Sequence, residues 1–331
     1  MLINLGTPDA PTARDVRRYL REFLSDPRVI DMPAPLRWLL LNLIILPFRP
    51  RASAHAYQAI WTAEGSPLLL NARALERDVA ASLGDGYRVV TAMRYGRPSI
   101  AEALQTLRDA DVARVIVLPL FPQYASATTG SALQRLFEEL GASKTIVPIS
   151  IVDAFYEHPE FIAAWAAVAQ PALDAFGADY VLLSYHGLPE RHVLQSDGPQ
   201  VECDRVQPCP RVAADNRYCY RAQCYATSRA LADALGLRDD TYGVAFQSRL
   251  GRTQWIRPYT DTTLPELAAR GVKRLAVMSP AFTADCLETL EELGIRGREQ
   301  WLELGGEDFL LVPSLNAHPR WVQAVGRLLS A

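Results

Sequence analysis

The chain has 331 residues, 49% of them hydrophobic, and a formal net charge of -3. That length is sufficient for two domains with separate cores, and the nearly balanced charge offers no electrostatic basis for nucleic-acid binding. The strongest apolar run, Trp38 to Pro47, is about half as long as the roughly 20 residues that a membrane-spanning helix needs.

Short apolar runs alternate with amphipathic stretches along the chain, which is typical of folds in which helices connect parallel strands. Eight runs predict strands: Leu2–Leu5, Tyr87–Ala92, Arg114–Pro119, Thr145–Ser150, Tyr180–Ser184, Tyr242–Phe246, Arg274–Met278 and Phe309–Pro313. Helical patterns include Ala72–Leu83, Ile100–Leu107, Ala132–Leu140, Pro159–Phe176 and Pro319–Leu329. The predicted fold class is therefore α/β, with two Rossmann-like doubly wound lobes, parallel sheets and a central cleft.

The strands fall into two sets of four, and this division predicts the domains. The first domain comprises residues 1–151 and carries an apolar segment at 30–50. The second comprises 152–315, and a C-terminal helix in 316–331 could cross back to the first domain. Neither G-x-G-x-x-G after a strand nor G-x-x-x-x-G-K-[ST] occurs, so we expect no nucleotide cofactor.

The run Tyr180–Ser184 predicts a buried parallel strand that leads directly to His186. Gly187 and Pro189 then turn the chain away. Ligands in open α/β sheets bind beyond the carboxyl ends of the strands, so His186 is placed where a catalytic histidine is expected. Taken alone, this stretch fits a buried core histidine equally well.

A row of carboxylates follows the predicted strand Arg274–Met278. A helix that begins near Asp285 would place Asp285, Glu288 and Glu292 on one face. The attraction of acidic residues to a helix N-terminus explains Asp285 but not Glu292, which lies two turns further on. A histidine opposite carboxylates suits a divalent metal or proton transfer, and H-E-x-x-H is absent. We interpret this as a site to which a metal is delivered.

Four of the five cysteines crowd into one segment with the spacing C-x5-C-x9-C-x4-C: Cys203, Cys209, Cys219 and Cys224. No secretory context is visible, and such crowding then indicates a metal or cluster rather than disulfides. Structural zinc uses C-x2-4-C pairs, which only the last pair approaches, whereas [2Fe–2S] clusters accept more varied spacings. Cys224 could also be an ordinary buried helix residue.

Seven strings, in order and at the expected intervals, resemble the ferrochelatase family. They are LINLGTP (Leu2–Pro8), EGSPL (Glu64–Leu68), RYG (Arg94–Gly96), PLFPQYASATTGS (Pro119–Ser131), SYHGLPER (Ser184–Arg191), FQSRLGRTQWIRPYTDTTL (Phe246–Leu264) and SPAFTADCLETLEE (Ser279–Glu292). The resemblance implies insertion of Fe²⁺ into a porphyrin, with protoporphyrin IX favoured over coproporphyrin III. The alternatives are a cobalt or nickel chelatase acting on another tetrapyrrole and a non-catalytic haem or porphyrin carrier.

By this resemblance, His186 matches the essential histidine of the family and Glu288 the glutamate facing it across the porphyrin. We expect both to meet the Fe²⁺ substrate, with His186 as proton acceptor and Asp285 and Glu292 as a relay. Seven further residues match positions in the substrate pocket: Leu5, Arg94, Tyr95, Tyr124, Ser126, Thr129 and Trp255. For Trp255, ordinary core packing is an equal alternative.

The connection that follows His186 is enlarged between residues 192 and 224. A microbial subset of ferrochelatases is similar in this respect and carries a [2Fe–2S] cluster on an internal insertion. The resemblance therefore implies such a cluster on the four crowded cysteines, with zinc as the second choice.

The apolar segment at 30–50 corresponds to a lip at the pocket mouth in this family. We expect it to touch a membrane surface shallowly through Trp38, Leu39, Leu40 and Ile44, with Arg37 and Arg49 near head groups. The expected location is the cytoplasm, with peripheral contact at the inner face of the cytoplasmic membrane.

Overall fold

The computed structural model describes residues 1–197, 209–249, 251 and 253–330. They form two compact units. Unit 1 contains Met1–Phe121, Ser126–Asp153 and the segment that starts at Val325, and unit 2 contains Pro122–Ala125 and Ala154–Ala324. The main division lies between Asp153 and Ala154.

Unit 1 is built on a parallel sheet of four strands in the order β2-β1-β3-β4. The strands are β1 Leu2–Thr7, β2 Thr91–Gly96, β3 Val115–Pro119 and β4 Ile149–Ile151. The helices are α1 Ala13–Ser25, α2 Ala34–Leu39, α3 Leu46–Ile60, α4 Pro67–Leu83, α5 Ile100–Asp109 and α6 Ser131–Gly141. Two π-helical segments, Leu40–Ile45 and Ser126–Gly130, lie in regions that the sequence assigned to the lip and the pocket.

Unit 2 repeats the topology, with a parallel sheet in the order β6-β5-β7-β8. Its strands are β5 Tyr180–His186, β6 Tyr242–Gln247, β7 Arg274–Met278 and β8 Asp308–Leu311. Its helices are α7 Pro159–Phe176, α8 Glu190–Asp197, α9 Tyr220–Leu235, α10 Thr260–Ala269, α11 Arg298–Glu303 and α12 Pro319–Ser330, the last of which continues into unit 1. The segment Glu288–Gly297 is a π-helix.

The α/β prediction is confirmed, but two predicted strands begin too early. Residues 87–90 precede β2, because its partner β1 begins only at Leu2, which pairs with Thr91. The run from Thr145 likewise enters the sheet only at Ile149, opposite Val115 at the start of β3. Apolar composition predicts an extended segment, while the start of the neighbouring strand decides where pairing begins.

Packing in the core of unit 2 leaves only the carboxyl end of β5 partly exposed. Tyr180 to Tyr185 are all buried, and only the last residue, His186, is half-buried. Leu182 packs with Val277 and Trp301 in one cluster, and each such fully buried side chain contributes about 1.5–3 kcal/mol to folding. A strand that is covered on both faces is exposed only at its ends, so His186 lies at the carboxyl end of the sheet.

Candidate active site

His186 ends β5, and its imidazole has a defined tautomer. Nδ1 lies 2.6 Å from the main-chain oxygen of Gly187. A carbonyl oxygen only accepts hydrogen bonds, so Nδ1 must carry the proton and Nε2 of the neutral ring is a base. The ring centroid lies 6.4 Å from that of Trp255 and 6.3 Å from that of Phe282. These two aromatic rings restrict how the imidazole can turn.

The turn after His186 requires glycine because the backbone of β6 approaches closely. Gly187 N donates to Gln247 O at 2.8 Å. A Cβ atom on Gly187 would lie 2.8 Å from the same oxygen and 3.2 Å from Cε3 of Trp255. The main chain then pairs Pro189 with Trp255 in an antiparallel bridge. Trp255 is thus held beside His186 by the backbone as well as by packing.

The carboxylate row differs from the predicted α-helical face. The helix is a π-helix that begins at Glu288, and Asp285 lies before it. The wider i→i+5 turn brings residues four or five positions apart onto one side, which suits Glu288 and Glu292. Asp285 instead accepts hydrogen bonds from Ser314 N and Asn316 Nδ2. These contacts draw Asp285 towards the segment after β8, so the three carboxylates do not share one regular helical face.

The end of β6 connects the π-helix to His186. Gln247 pairs with His186 in the sheet, and its Nε2 donates to Glu288 O at 3.0 Å. The next residue, Ser248, donates from N to Glu292 Oε1 at 2.8 Å and from Oγ to Glu292 Oε2. The segment that carries Glu288 and Glu292 is therefore hydrogen-bonded to the end of β6, the strand that pairs with His186. Sequence reasoning did not assign a role to Gln247 or Ser248, although both lie within the FQSRLG string.

Cys286 lies beside Glu288 and is completely buried. Burial, and then the charge of Glu288, raises the pKa of the Cys286 thiol well above its usual range. Cys286 is therefore a buried side chain of the core.

Two predicted pocket residues of unit 1 form a buried ionic cluster. Arg94 Nη2 and the Tyr95 hydroxyl both donate to Asp26 Oδ2, at 2.7 and 2.8 Å. Ser131 Oγ also donates to this oxygen, and Tyr95 is 0% exposed. Arg94 and Tyr95 thus anchor the start of the segment that leads into the lip, which sequence reasoning did not foresee.

The remaining pocket candidates lie in β1, in the π-helix Ser126–Gly130 and in the segment before it. Leu5 is half-buried in β1, and Ser126 Oγ accepts a hydrogen bond from Arg28 Nη1 at 2.8 Å. Thr129 is buried, and its hydroxyl has no hydrogen-bond partner among the described residues. In unit 2, the Tyr124 ring lies 5.3 Å from that of Tyr218. An unpaired buried hydroxyl such as that of Thr129 is rare in folded proteins.

Comparisons with known proteins identify the family of the chain. A sequence model of the ferrochelatase family matches residues 1–331. The chain belongs to the ferrochelatase family. The ferrochelatase of Coxiella burnetii (strain Dugway 5J108-111) is 52% identical and covers 99% of this chain and 92% of its own length. That of Legionella pneumophila (strain Paris) is 49% identical, with coverages of 100% and 98%.

Among solved structures, SirB from Bacillus subtilis with Fe³⁺ has a TM-score of 0.50 at 12% identity. It covers 80% of this chain and 91% of that chain. At this identity the likeness concerns the fold alone, and it confirms the α/β chelatase-like architecture.

In this ferrochelatase sequence, three of the four crowded cysteines lie in the described part, and Cys203 lies outside it. Cys209, Cys219 and Cys224 are buried cysteines, and Cys209 and Cys219 influence the thiol of Cys224 electrostatically. Burial raises the pKa of the Cys209 thiol, while the fully buried Arg221 guanidinium beside it acts in the opposite direction. Within residues 1–197, 209–249, 251 and 253–330, no three His, Cys, Asp or Glu side chains form a metal-binding group. The described thiols have suitable donor chemistry, but they do not make a complete ligand set.

The lip is exposed as well as apolar. Trp38 is 59% exposed, Leu39 43% and Ile44 59%, and only Leu40 of the four predicted contact residues is half-buried. Three further large apolar side chains are exposed in the same region: Leu36, Leu43 and Phe48. Arg37 donates to the main-chain oxygens of Ile30 and Met32, and Arg49 is exposed. None of the helices in the described ranges is long and apolar enough to cross a membrane.

Proposed function

We propose that this member of the ferrochelatase family inserts Fe²⁺ into a porphyrin to form haem. Protoporphyrin IX is the favoured substrate and coproporphyrin III the second choice. The observation that carries the proposal is the 2.6 Å contact between His186 Nδ1 and Gly187 O, which leaves Nε2 as the ring nitrogen that accepts a proton. Gln247 and Ser248 hydrogen-bond the segment that carries Glu288 and Glu292 to the end of β6.

Metal insertion requires the removal of two pyrrole N–H protons and the loss of water from the metal. His186 Nε2 accepts a pyrrole proton, which a neutral imidazole can do near neutral pH. Glu288 faces the other side of the porphyrin and assists the transfer of Fe²⁺ and protons, because carboxylate oxygens both bind a divalent cation and accept protons. Both side chains therefore meet the substrates directly.

Glu292 lies on the same π-helix as Glu288, and Asp285 lies just before that helix. Two hydrogen bonds from Ser248 fix the Glu292 carboxylate. Asp285 is held by Ser314, Asn316 and Thr289. We assign both as proton-relay groups, since a relay needs donors and acceptors that keep fixed positions during proton transfer.

The predicted pocket residues divide into two kinds. Leu5, Tyr124, Ser126, Thr129 and Trp255 contact the porphyrin in this proposal. Arg94 and Tyr95 act indirectly, because they bind Asp26 and so hold the segment that leads to the lip.

The assay follows the Soret band of each porphyrin with Fe²⁺ under anaerobic conditions. A general base contributes typically 10²–10⁴-fold, so His186→Ala should lower kcat by at least about 100-fold. His55→Ala, at an exposed histidine of α3, is the matched control and should keep full activity. Turnover by His186→Ala within threefold of wild type refutes the proton-acceptor role. A wild-type protein that binds haem without converting any porphyrin identifies a carrier, and selective insertion of Co²⁺ or Ni²⁺ identifies another chelatase.

We also propose that the protein is cytoplasmic and that the lip touches the membrane surface peripherally. The exposed apolar side chains of residues 36–48 support this, since their burial among lipid chains removes apolar area from water. The Leu39→Asp/Ile44→Asp variant should lose co-sedimentation with phosphatidylglycerol-containing vesicles. Tyr87→Asp is the control, because Tyr87 is also 43% exposed but lies outside the lip. Unchanged sedimentation of the double variant would count against the lip.

For the cysteine segment we propose a [2Fe–2S] cluster on Cys203, Cys209, Cys219 and Cys224. Three buried thiols beside the buried Arg221 support it, because a cationic neighbour stabilises thiolate ligands. Anaerobically purified protein should show visible cluster absorption and contain iron and sulfide, and Cys209→Ser should lose both. Cys286→Ser is the control and should keep them. A colourless protein that contains zinc supports the second choice and refutes the cluster.

A further inference from the structure

Helix α9 is fastened to the end of β5 by two tyrosine hydroxyls. Tyr220, the first residue of α9, donates to His186 O at 2.9 Å. The Tyr185 hydroxyl is hydrogen-bonded to Ser228 Oγ at 2.8 Å, and Ser228 Oγ donates to Cys224 O. Both tyrosines are buried. The strand and the helix are therefore connected at two consecutive positions, 185 and 186.

The peptide that joins His186 to Gly187 is bound on both sides. Its oxygen accepts the hydrogen bond from Tyr220, and its N–H donates to Gln247 O at 2.8 Å. The next oxygen along the chain, that of Gly187, accepts from His186 Nδ1. Glycine has the widest choice of backbone conformations, so the direction of this oxygen depends on how firmly the preceding peptide is held.

We propose that Tyr220 is a positioning residue for His186. By fixing the His186–Gly187 peptide, Tyr220 keeps the Gly187 oxygen in place as the acceptor for Nδ1–H. The proton then stays on Nδ1, and Nε2 stays free to accept a pyrrole proton. This rests on the proposed catalytic role of His186, while the tautomer itself can be measured independently of activity.

The same hydroxyl also connects the cysteine segment to the active site. Burial raises the pKa of the Tyr220 hydroxyl, and Tyr220 lies close enough to Cys224 for the thiol to raise it further. Tyr220 also directly follows Cys219. A displacement of the cysteines is therefore transmitted to the His186–Gly187 peptide by the Tyr220 side chain. This gives a physical route by which the cysteine segment stabilises the catalytic turn without electron transfer.

Tyr220→Phe and Tyr185→Phe form a matched pair, because each removes one buried phenol hydroxyl from the same strand–helix contact. ¹⁵N-histidine NMR of the full chain, with the His186 signals assigned by His186→Ala, reports which ring nitrogen is protonated. Wild type and Tyr185→Phe should both be protonated at Nδ1, and Tyr220→Phe should show a mixture of tautomers. In the Soret assay, Tyr220→Phe should lower kcat by about tenfold with the porphyrin KM within twofold, while Tyr185→Phe keeps both.

Equal kcat losses in the two variants with an unchanged tautomer would overturn the positioning role and leave a merely structural contact. A wild-type ring protonated at Nε2 also overturns it, even if Tyr220→Phe does not fold. If His186→Ala remains active, the proposed proton-acceptor role of His186 fails. The tautomer shift in Tyr220→Phe still decides the positioning role in that case.

Discussion

The buried cluster around Asp26 should be the most sensitive electrostatic element of unit 1. Asp26 Oδ2 accepts hydrogen bonds from Arg94, Tyr95 and Ser131, and Oδ1 accepts from Arg28 N. The Asp26 side chain is only 4% exposed and that of Arg94 15%. Asp26→Asn keeps the shape but has a single acceptor oxygen, so either the three donors or Arg28 N lose their partner. The Arg94 charge is then left without its counterion.

Removal of one partner from a buried ion pair typically costs about 3–5 kcal/mol, and we expect Asp26→Asn to lower the free energy of unfolding by that amount. Urea denaturation of the full chain at pH 7 measures it. Asp261→Asn is the control, because its pair with Arg249 is exposed and such pairs contribute about 0–1 kcal/mol. A loss of less than about 1 kcal/mol for Asp26→Asn refutes the reasoning, since it equals the value for exposed pairs.

The pH dependence has a definite sign. Burial alone would raise the pKa of Asp26, but hydrogen bonds from Ser131, Arg28 N and Tyr95, together with the Arg94 charge, outweigh it and hold the pKa below its usual 3.8. A carboxyl whose pKa falls on folding contributes stability that is complete above the unfolded pKa and is lost as the pH falls through the folded pKa. The difference between wild type and Asp26→Asn should therefore be constant above this range and shrink only below pH 3.8.

Three further changes test other contacts. Gly187→Ala should lower kcat by about 100-fold, because its Cβ would lie 2.8 Å from Gln247 O and must displace the His186 turn; a Soret assay with near-normal turnover contradicts this. Ser248→Ala removes one donor to Glu292 and should reduce kcat/KM for Fe²⁺ about tenfold, as expected for one hydrogen bond to a charged group. Equal reductions of kcat/KM for Fe²⁺ and for the porphyrin would contradict a role of Glu292 in metal relay. Trp301→Phe should cost about 1–3 kcal/mol in urea, since two main-chain oxygens lose the indole donor; unchanged stability refutes it.

The sequence by itself determined the class of fold and the family. Buried parallel strands read as continuous apolar runs, so the runs that end at His186 and Met278 were visible without coordinates. Short strings such as SYHGLPER were sufficient to place the candidate histidine, because they carry both the strand end and the turn. Apolar composition likewise singled out the lip at 30–50.

The tertiary structure decided which groups touch. Asp285 lies before the π-helix that begins at Glu288. Its carboxylate accepts hydrogen bonds from Ser314 N and Asn316 Nδ2, which are distant in sequence, and is thereby separated from the carboxylates that follow. Tyr95 reads as a pocket residue but is buried against Asp26. Such partners come from long-range packing, which local propensity and spacing do not encode.

His186 shows both contributions in one residue. Its position at a strand end follows from the apolar run before it, which any reader of the sequence can recognise. Its tautomer depends on Gly187 O, and the peptide before that oxygen is held by Tyr220 and Gln247. A hydrogen atom on one ring nitrogen rather than the other is fixed only when segments distant along the chain meet, so this part of the chemistry is decided by the fold.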